Sequence, residues 1–369
     1  MKVTCKRQML SAAFAAVSGV VPTKTPKSVL TNTRIEAEHG QLTLLATDGD
    51  LSIRYVIHEA EIEEPGTVLL PTLRTLNILR ELDGDSVTIE TLEHNVRIRT
   101  DRADYKLGLQ NADLFPAVAT FQEENYHVID AAVFRQLIRR TVFAVDTEST
   151  RYALGGVLVD LQPGKAVLAA TDTRRLSVAE GQCTVHGEPP APHMPVVPSK
   201  AMSLIEKILA DDTSQAHLAI RANDMILRGG SATVYSRLVE GRFPRYQDVI
   251  PSSCSAKIEI PAEAFLSVVR QAQIVTSEDS RGVDFVFAPG VLTLISQASE
   301  IGESKVDLPI AYEGLPITIT LDPVFVAEFL RSLDSATIVT VELVDSESAM
   351  VLKTADGAVY LVMPLSRDR

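Results

Sequence analysis

The sequence predicts an α+β fold made of three tandem copies of one domain, each with two helices packed on antiparallel sheets. Three observations predict it. Ala-Thr-Asp occurs at Ala46–Asp48 and again at Ala170–Asp172, each time between alternating apolar runs. Phe115-Pro116 and Phe243-Pro244 recur at nearly the same interval. A short strand followed by an amphipathic helix opens three stretches, Met1–Val21, Tyr126–Val145 and Ala256–Thr276. The shared period, about 125 residues, is too long for a solenoid and suits whole domains.

The first copy begins with Val3 and Cys5 alternating in a strand, then Leu10, Phe14 and Val17 at helical spacing. Lys2, Lys6 and Arg7 ahead of the mostly apolar Met9–Val21 imitate a secretory leader. The same pattern recurs at internal positions, where no leader can sit, so a helix is the reading. In the second copy Asp130 stands where an N-cap side chain can accept from free N–H groups of the first turn, and AAVFRQLIRRTVFAV follows. The third copy places Ile258–Pro261 before AEAFLSVVRQAQIVT. A strand–turn–strand segment comes next in each copy, at Leu42–Ile57, Ala166–Gly181 and Val291–Leu308. A second helix follows within Val68–Leu82, Pro195–Leu209 and Ile317–Leu333. Pro71 and Pro198 mark its start, and Asp322-Pro323 is a capping residue with Pro in the first turn. Leu73, Leu76 and Leu79 are expected to form one apolar stripe, as are Met202, Ile205 and Ile208. Strands close each copy, within Thr88–Val118, Ala216–Ile250 and Ile338–Leu365. The polar stretch Gln122–Asn125 and the stretch Pro251–Ala256 divide the chain into domains 1–122, 126–252 and 256–369.

Length agrees, since 369 residues exceed one ordinary core. Aromatic content of 5% without Trp predicts mostly aliphatic cores. Three widely spaced Cys without a CxxC pair indicate neither a disulfide framework nor a zinc site, and fit a reducing cytoplasm. No apolar run reaches the roughly 18 residues of a membrane span, so no membrane partner is expected.

Charge is unevenly placed. The helical segments Lys6–Ser18, Thr72–Leu82, Ala131–Val142, Ser199–Ala210, Ala262–Ile274 and Pro323–Leu333 hold eleven basic and four acidic residues, in a chain of net charge −13. Arg135 and Arg139 share one helix face, as do Lys200 and Lys207, and Lys24 and Lys27 follow the first helix. Cationic helices beside anionic sheets can hold a polyanion on one surface and repel it from the other. Catalytic signatures are missing: there is no GxxxxGK[ST], HExxH, GxSxG or post-strand GxGxxG, and the seven His form no metal spacing. Asp48-Gly49-Asp50 reads as a hairpin turn. Neither a cofactor nor a metal is expected. From the residues alone, an enzyme with a site at a domain interface and a non-encircling peptide-binding scaffold both stay open.

Several stretches carry a resemblance: MKVTCKRQ with Leu10 at the amino terminus, ATDTRRL at Ala170–Leu176, SRLVEGRFPRYQDVIP at Ser236–Pro251, SRGV at Ser280–Val283 and YLVMPL at Tyr360–Leu365. Over its full length the chain resembles the bacterial DNA polymerase III beta-subunit family, the sliding clamps. The resemblance implies a non-catalytic subunit. Two chains would close head to tail into a ring around double-stranded DNA and tether the replicative polymerase, the clamp loader and repair proteins. It implies DNA contacts at Lys24, Arg74, Arg151 and Tyr152, to which the charge pattern adds Lys27, Arg135, Arg139 and Lys200. It also implies a pocket for short partner peptides. Leu154, Leu176, Val249 and Leu361 would give it apolar walls, and Met363 an adaptable one. Thr171 and Arg175 would offer polar edges, and Thr173, Arg174, Pro244, Phe325, Pro364 and Leu365 would complete it. A peptide with Leu and Phe anchors and a Gln would suit it. The family often has Gly-His at Thr173-Arg174, so this lip should be bulkier and more cationic. The dimer contact would set Leu107 and Leu109 against Ile274 and Val275.

Overall fold

The structure is a computed structural model that describes residues 1–148, 152–188, 194–209, 214–277, 280–299 and 301–365. The first copy of the pattern runs β1 (Lys2–Lys6), α1 (Arg7–Ser18), β2 (Asn32–Glu38), β3 (Gln41–Thr47), β4 (Leu51–Ile57), β5 (Ala60–Glu64), β6 (Gly66–Pro71), α2 (Thr72–Glu81), β7 (Ser86–Thr91), β8 (Asn95–Arg99) and β9 (Asp104–Gly108). The second runs β10 (Tyr126–Asp130), α3 (Ala131–Thr141), β11 (Gly156–Gln162), β12 (Lys165–Thr171), β13 (Arg175–Gly181), β14 (Thr184–His186), β15 (Val196–Pro198), α4 (Ser199–Ile208), β16 (Gln215–Ile220), β17 (Asp224–Gly229) and β18 (Ala232–Arg237). The third runs β19 (Ala256–Pro261), α5 (Ala262–Gln273), β20 (Val283–Ala288), β21 (Val291–Ala298), β22 (Gly302–Pro309), β23 (Ile317–Leu321), α6 (Pro323–Ser332), β24 (Ile338–Leu343), β25 (Met350–Thr354) and β26 (Val359–Val362). The order is the same each time, except that the third copy has one strand fewer between its helices. The expected α+β architecture, two helices per copy on antiparallel sheets, is what the chain forms.

Four antiparallel sheets result, in the orders β5-β1-β7-β8-β9, β14-β10-β16-β17-β18-β4-β3-β2-β6, β15-β11-β12-β13-β26-β25-β24-β19 and β22-β21-β20-β23. Two of them cross between copies. Ladder bonds pair β18 with β4, Ala232 opposite Tyr55, and β13 with β26, Arg175 opposite Val362. Compactness therefore divides the chain into two units that cut across the repeat. One unit holds residues 1–135, 183–191 and 200–238; the other holds 136–182, 192–199 and 239–369.

Within the first unit α1 packs beside α2 and buries Leu10, Ala13, Phe14 and Val17, as the spacing predicted. The stripe expected on α2 is corrected: Leu76 and Leu79 are buried with Thr72 and Thr75, while Leu73 is 53% exposed. Three residues advance a helix by less than one turn, so a strict spacing of three walks off the buried face, and positions 72, 75, 76 and 79 hold it. The caps follow the sequence. The Asp130 carboxylate accepts from Ala132 N at 3.0 Å and Val133 N at 3.1 Å, and Asp322 accepts from Val324 N at 2.9 Å. In the second unit the core of the third copy is mostly aliphatic, as expected, with aromatic rings set within it. Phe265, Phe285, Phe287, Phe329 and Tyr360 share one buried cluster, with Phe329 stacked on Tyr360 at 4.6 Å.

Lys6, Arg7, Arg140 and Lys200, all basic residues on the helical segments, are not open cations. Lys6 belongs to β1 and pairs with Glu59 at 2.8 Å. Arg7 donates to the carbonyls of Gly84 and Leu79. Arg140 is 3% exposed and pairs with Asp356 at 2.6 Å. Lys200 pairs with Asp48 at 2.6 Å and donates to Val20 O at 3.1 Å. Lys200 sits in the first turn of α4, where a bare cation opposes the helix dipole, and the Asp48 carboxylate offsets it.

Candidate functional site

The repeated Ala-Thr-Asp segment builds the same turn twice. In the first unit Thr47 Oγ1 donates to Leu51 O at 3.0 Å, while Asp48 Oδ1 accepts from Asp50 N and Leu51 N at 3.1 and 2.8 Å. In the second unit Thr171 Oγ1 donates to Arg175 O at 2.6 Å, and Asp172 Oδ1 accepts from Arg174 N and Arg175 N, both at 3.0 Å. A side chain that accepts from N–H groups two and three residues on is how Asp closes a tight turn. The third turn residue must take a left-handed backbone: Gly49 has φ +107° and Thr173 has φ +75°. The hairpin reading of Asp48-Gly49-Asp50 is thus explained without any chemistry.

The two turns differ in what they face. From the second, Arg175 turns inward and is 8% exposed. Its Nε donates to Asp172 Oδ2 at 2.9 Å, one terminal nitrogen donates to Glu328 of α6, and the other donates to Phe143 O at 2.7 Å. The guanidinium also lies 4.3 Å from the Phe325 ring centre and 5.6 Å from that of Phe143. Nearby, Tyr360 donates to Phe325 O at 2.9 Å, and burial pushes its phenol well above the ordinary value. Arg175, expected as a polar edge for a ligand, is also among the residues that line the cleft described next. Its guanidinium is spent on the protein, and it fastens the β12–β13 turn to α6.

Beside this knot lies an apolar cleft of about 190 Å³. Thr171, Thr173, Arg175, Leu176, Pro244, Val249, Leu361 and Met363 line it, all of them expected pocket residues. Val249 and Met363 remain 59% and 47% exposed, so the apolar mouth faces solvent. Two lining residues escaped the sequence reading, Arg245 and Tyr246. Tyr246 starts a short 3-10 turn, packs edge-on to Phe243 at 6.2 Å, and has its phenol raised by burial. An aromatic two residues after Pro244 and three residues before Val249 was the available signal.

The other expected pocket residues lie elsewhere in this unit. Arg174 and Phe325 line a second, more polar depression of about 560 Å³ with Thr276, Ser277, Arg281, Asp322 and Val324. Arg174 is exposed, its guanidinium lies 4.9 Å from the Phe325 ring centre, and its carbonyl accepts from Met363 N at 2.8 Å. Leu154, Pro364 and Leu365 line neither hollow. Leu154 is 3% exposed, core to its own copy, and Leu365 N donates to Thr320 O at the end of β23.

Of the expected DNA contacts, Lys24 and Lys27 are exposed in the segment after α1, Arg74 is exposed on α2, and Arg139 is exposed on α3, where Arg135 is half-buried. Lys200 is held by Asp48, as described above. Arg151 and the side chain of Tyr152 lie outside the described residues. For the dimer contact, Leu107 is half-buried on β9, and Leu109 follows the end of β9 at 40% exposure. Ile274, at the end of α5, is 76% exposed, and Val275 is half-buried. Large exposed aliphatics at Leu109 and Ile274 are not core. Both β9 and β22 are outer strands of their sheets. No helix among the described residues is long and apolar enough to cross a membrane.

The comparisons with known proteins agree with one another. Residues 1–119, 128–245 and 247–366 match the family models for the N-terminal, central and C-terminal domains of the DNA polymerase III beta subunit. The chain is similar to proteins named beta sliding clamp. It is 28% identical to the one from Chlamydia trachomatis over 99% of this chain and 87% of that protein. It is also 28% identical to the one from Vibrio cholerae, over 99% and 100%. Among solved structures, the sliding clamp of Pseudomonas aeruginosa bound to griselimycin superposes with a TM-score of 0.89 at 25% identity over the whole of both chains. The clamp of Bacillus subtilis gives 0.89 at 24% identity over 100% of this chain and 99% of that one, a likeness of fold. The three domain matches follow one another along nearly the whole sequence, in family order, and the chain belongs to the DNA polymerase III beta-subunit family.

Proposed function

We infer that the protein is a sliding clamp: two copies close head to tail around duplex DNA and tether the replicative polymerase to its template. The observation that carries this is the threefold domain match, continuous over the chain and shared with relatives named beta sliding clamp. The domains run 1–122, 126–252 and 256–369, and the protein acts in the cytoplasm without chemistry of its own. Exposed Lys24, Lys27, Arg74 and Arg139 meet phosphates, with Arg151 and Tyr152 completing the set, and none reads a base. Many weak contacts of that kind let a ring move along DNA without leaving it. The tether works by raising the effective concentration of polymerase at the primer end.

Partner proteins dock through short peptides whose Leu and Phe side chains enter the cleft walled by Leu176, Val249, Leu361 and Met363. The chains join where Leu107 and Leu109 of one copy meet Ile274 and Val275 of the other, β9 and β22 supplying unshared strand edges. The protein is tested by loading it on nicked circular DNA with a clamp loader and then cutting the circle once. Release from the linear product is expected within minutes, and retention overturns encirclement in favour of a groove binder.

A further inference from the structure

Two seams join consecutive copies, and they are closed by different chemistry. The β4–β18 ladder makes the first, with Leu51 opposite Ser236, and the β13–β26 ladder makes the second, with Arg175 opposite Val362. Arg7 and Ala131, which start α1 and α3, are separated by the same 124 residues as Ala46 and Ala170, so positions in the two seams correspond. In the second seam Arg140 of α3 is buried and pairs with Asp356 at 2.6 Å, and Gln136 donates to the same carboxylate at 3.4 Å. Arg175 spans Asp172, Glu328 and the Phe143 carbonyl. The Tyr360 ring meets those of Phe143 and Phe329 at 5.6 and 4.6 Å. The first seam has Ala16 for Arg140, Ala12 for Gln136, Leu51 for Arg175, Gly19 for Phe143 and Val234 for Tyr360. Its β17–β18 turn runs through Gly230 and Ser231 and offers no carboxylate. A hollow of about 540 Å³ results, lined by Ala12, Ala15 and Ala16 of α1 with Tyr55, Lys207 and Gly230. Lys200 with Asp48 and Arg237 with Asp50 cross this seam, and Lys200, Arg237 and Asp50 are all exposed. Exposed ion pairs add little hold, and side chains beside a void lack partner atoms on one side and can shift into it.

We propose that the β4–β18 seam is the hinge of this chain, where the first and second copies rock when the ring opens, while the β13–β26 seam keeps the second and third copies rigid. The ring itself rests on the sliding-clamp reading. The hollow between α1 and α4 gives those helices room to close or part. In the second seam the same movement would have to break the three-way Arg175 contact and part Arg140 from Asp356. Each excursion strains the β4–β18 ladder, so its amides open to water more often than those of β13–β26. Every residue lining the apolar cleft belongs to the unit that holds the second seam, so bending at the first leaves that cleft intact.

The test is hydrogen exchange of the full-length protein, read by mass spectrometry. Amides of β4 and β18 should exchange about tenfold faster than those of β13 and β26. Arg140→Ala should speed exchange in β13 and β26 by about tenfold and leave β4 and β18 unchanged. Ala16→Leu, which fills the hollow, should slow β4 and β18 by about threefold. It should slow loading onto nicked circular DNA by a clamp loader to a similar degree. Equal rates in the two seams of the unchanged protein, or faster exchange in β13 and β26, overturn the hinge. So does a folded Ala16→Leu protein whose exchange or whose loading rate is unchanged. Should Ala16→Leu fail to fold, Arg140→Ala decides, and unaltered exchange in β13 and β26 then overturns the proposal. If no loader places the unchanged protein on DNA, the sliding-clamp reading falls, and the exchange rates still judge the seam.

Discussion

Thr173 carries a branched side chain where the backbone favours none. Its φ of +75° repeats the left-handed turn that Gly49 makes at +107° in the first copy. A left-handed residue costs on the order of 1–2 kcal/mol, and glycine gives back about 0.5–1 kcal/mol through the unfolded chain. Thr173→Gly should therefore raise stability by roughly 0.5–1 kcal/mol in urea unfolding; a lower midpoint would mean the turn is not held as described. Arg175 argues the other way. Arg175→Ala leaves Asp172 and Glu328 facing each other's charge in a buried knot, and removing one partner of such a group costs about 3 kcal/mol or more. Arg175→Lys should recover less than half of that loss, because one ammonium cannot reach three acceptors set at guanidinium spacing. Equal stability of the Lys variant and the unchanged protein would show that charge alone matters. The sequence revealed that this turn was special, since ATDTRRL repeats ATDGDL and then diverges. It did not reveal which way Arg175 points, because a guanidinium suits a ligand's edge and a buried knot equally well.

At the scale of elements, periodicity and capping chemistry foretold all three strand–helix openings and the Asp130 and Asp322 caps. Leu73 misled, because an apolar residue at spacing three looks internal until the whole face is fixed. The cross-copy ladders β4–β18 and β13–β26 left no local mark, since edge strands that find a distant partner look like those that do not. One such junction has a measurable pH signature. Arg140 of α3 holds Asp356, in the turn between β25 and β26, so the side-chain hydrogen bond to Arg140 first of all keeps the Asp356 carboxyl below its ordinary value of 3.8. A carboxylate with a depressed folded value stabilises the protein above that ordinary value, and the contribution disappears as pH falls through the folded one. Asp356→Asn should thus cost stability at pH 7, and the gap to the unchanged protein should shrink below about pH 3.8. A gap that stays constant from pH 7 to pH 2.5 would remove the ion pair from the explanation.

For the whole molecule, function depends on a surface that one chain cannot complete. Leu109 at 40% and Ile274 at 76% exposure present aliphatic area to water, and β9 and β22 are outer strands with no further neighbour among the described residues. Each cost is removed if a second copy covers it, and a head-to-tail contact uses both surfaces of every chain. The same reasoning predicts how assembly fails. A charge at the centre of an apolar contact must be buried unpaired or stay in water, so Ile274→Asp with Leu109→Asp should convert the dimer to a monomer near 40.1 kDa by light scattering. Both positions are exposed in the single chain, so its unfolding midpoint should hardly move. The monomer should still bind peptides, because every residue lining the cleft belongs to one compact unit of one chain. It should fail to remain on circular DNA, since an open chain has no topological hold. A dimer that survives both substitutions would place the contact elsewhere, and a monomer that stays on circular DNA would separate DNA retention from ring closure altogether.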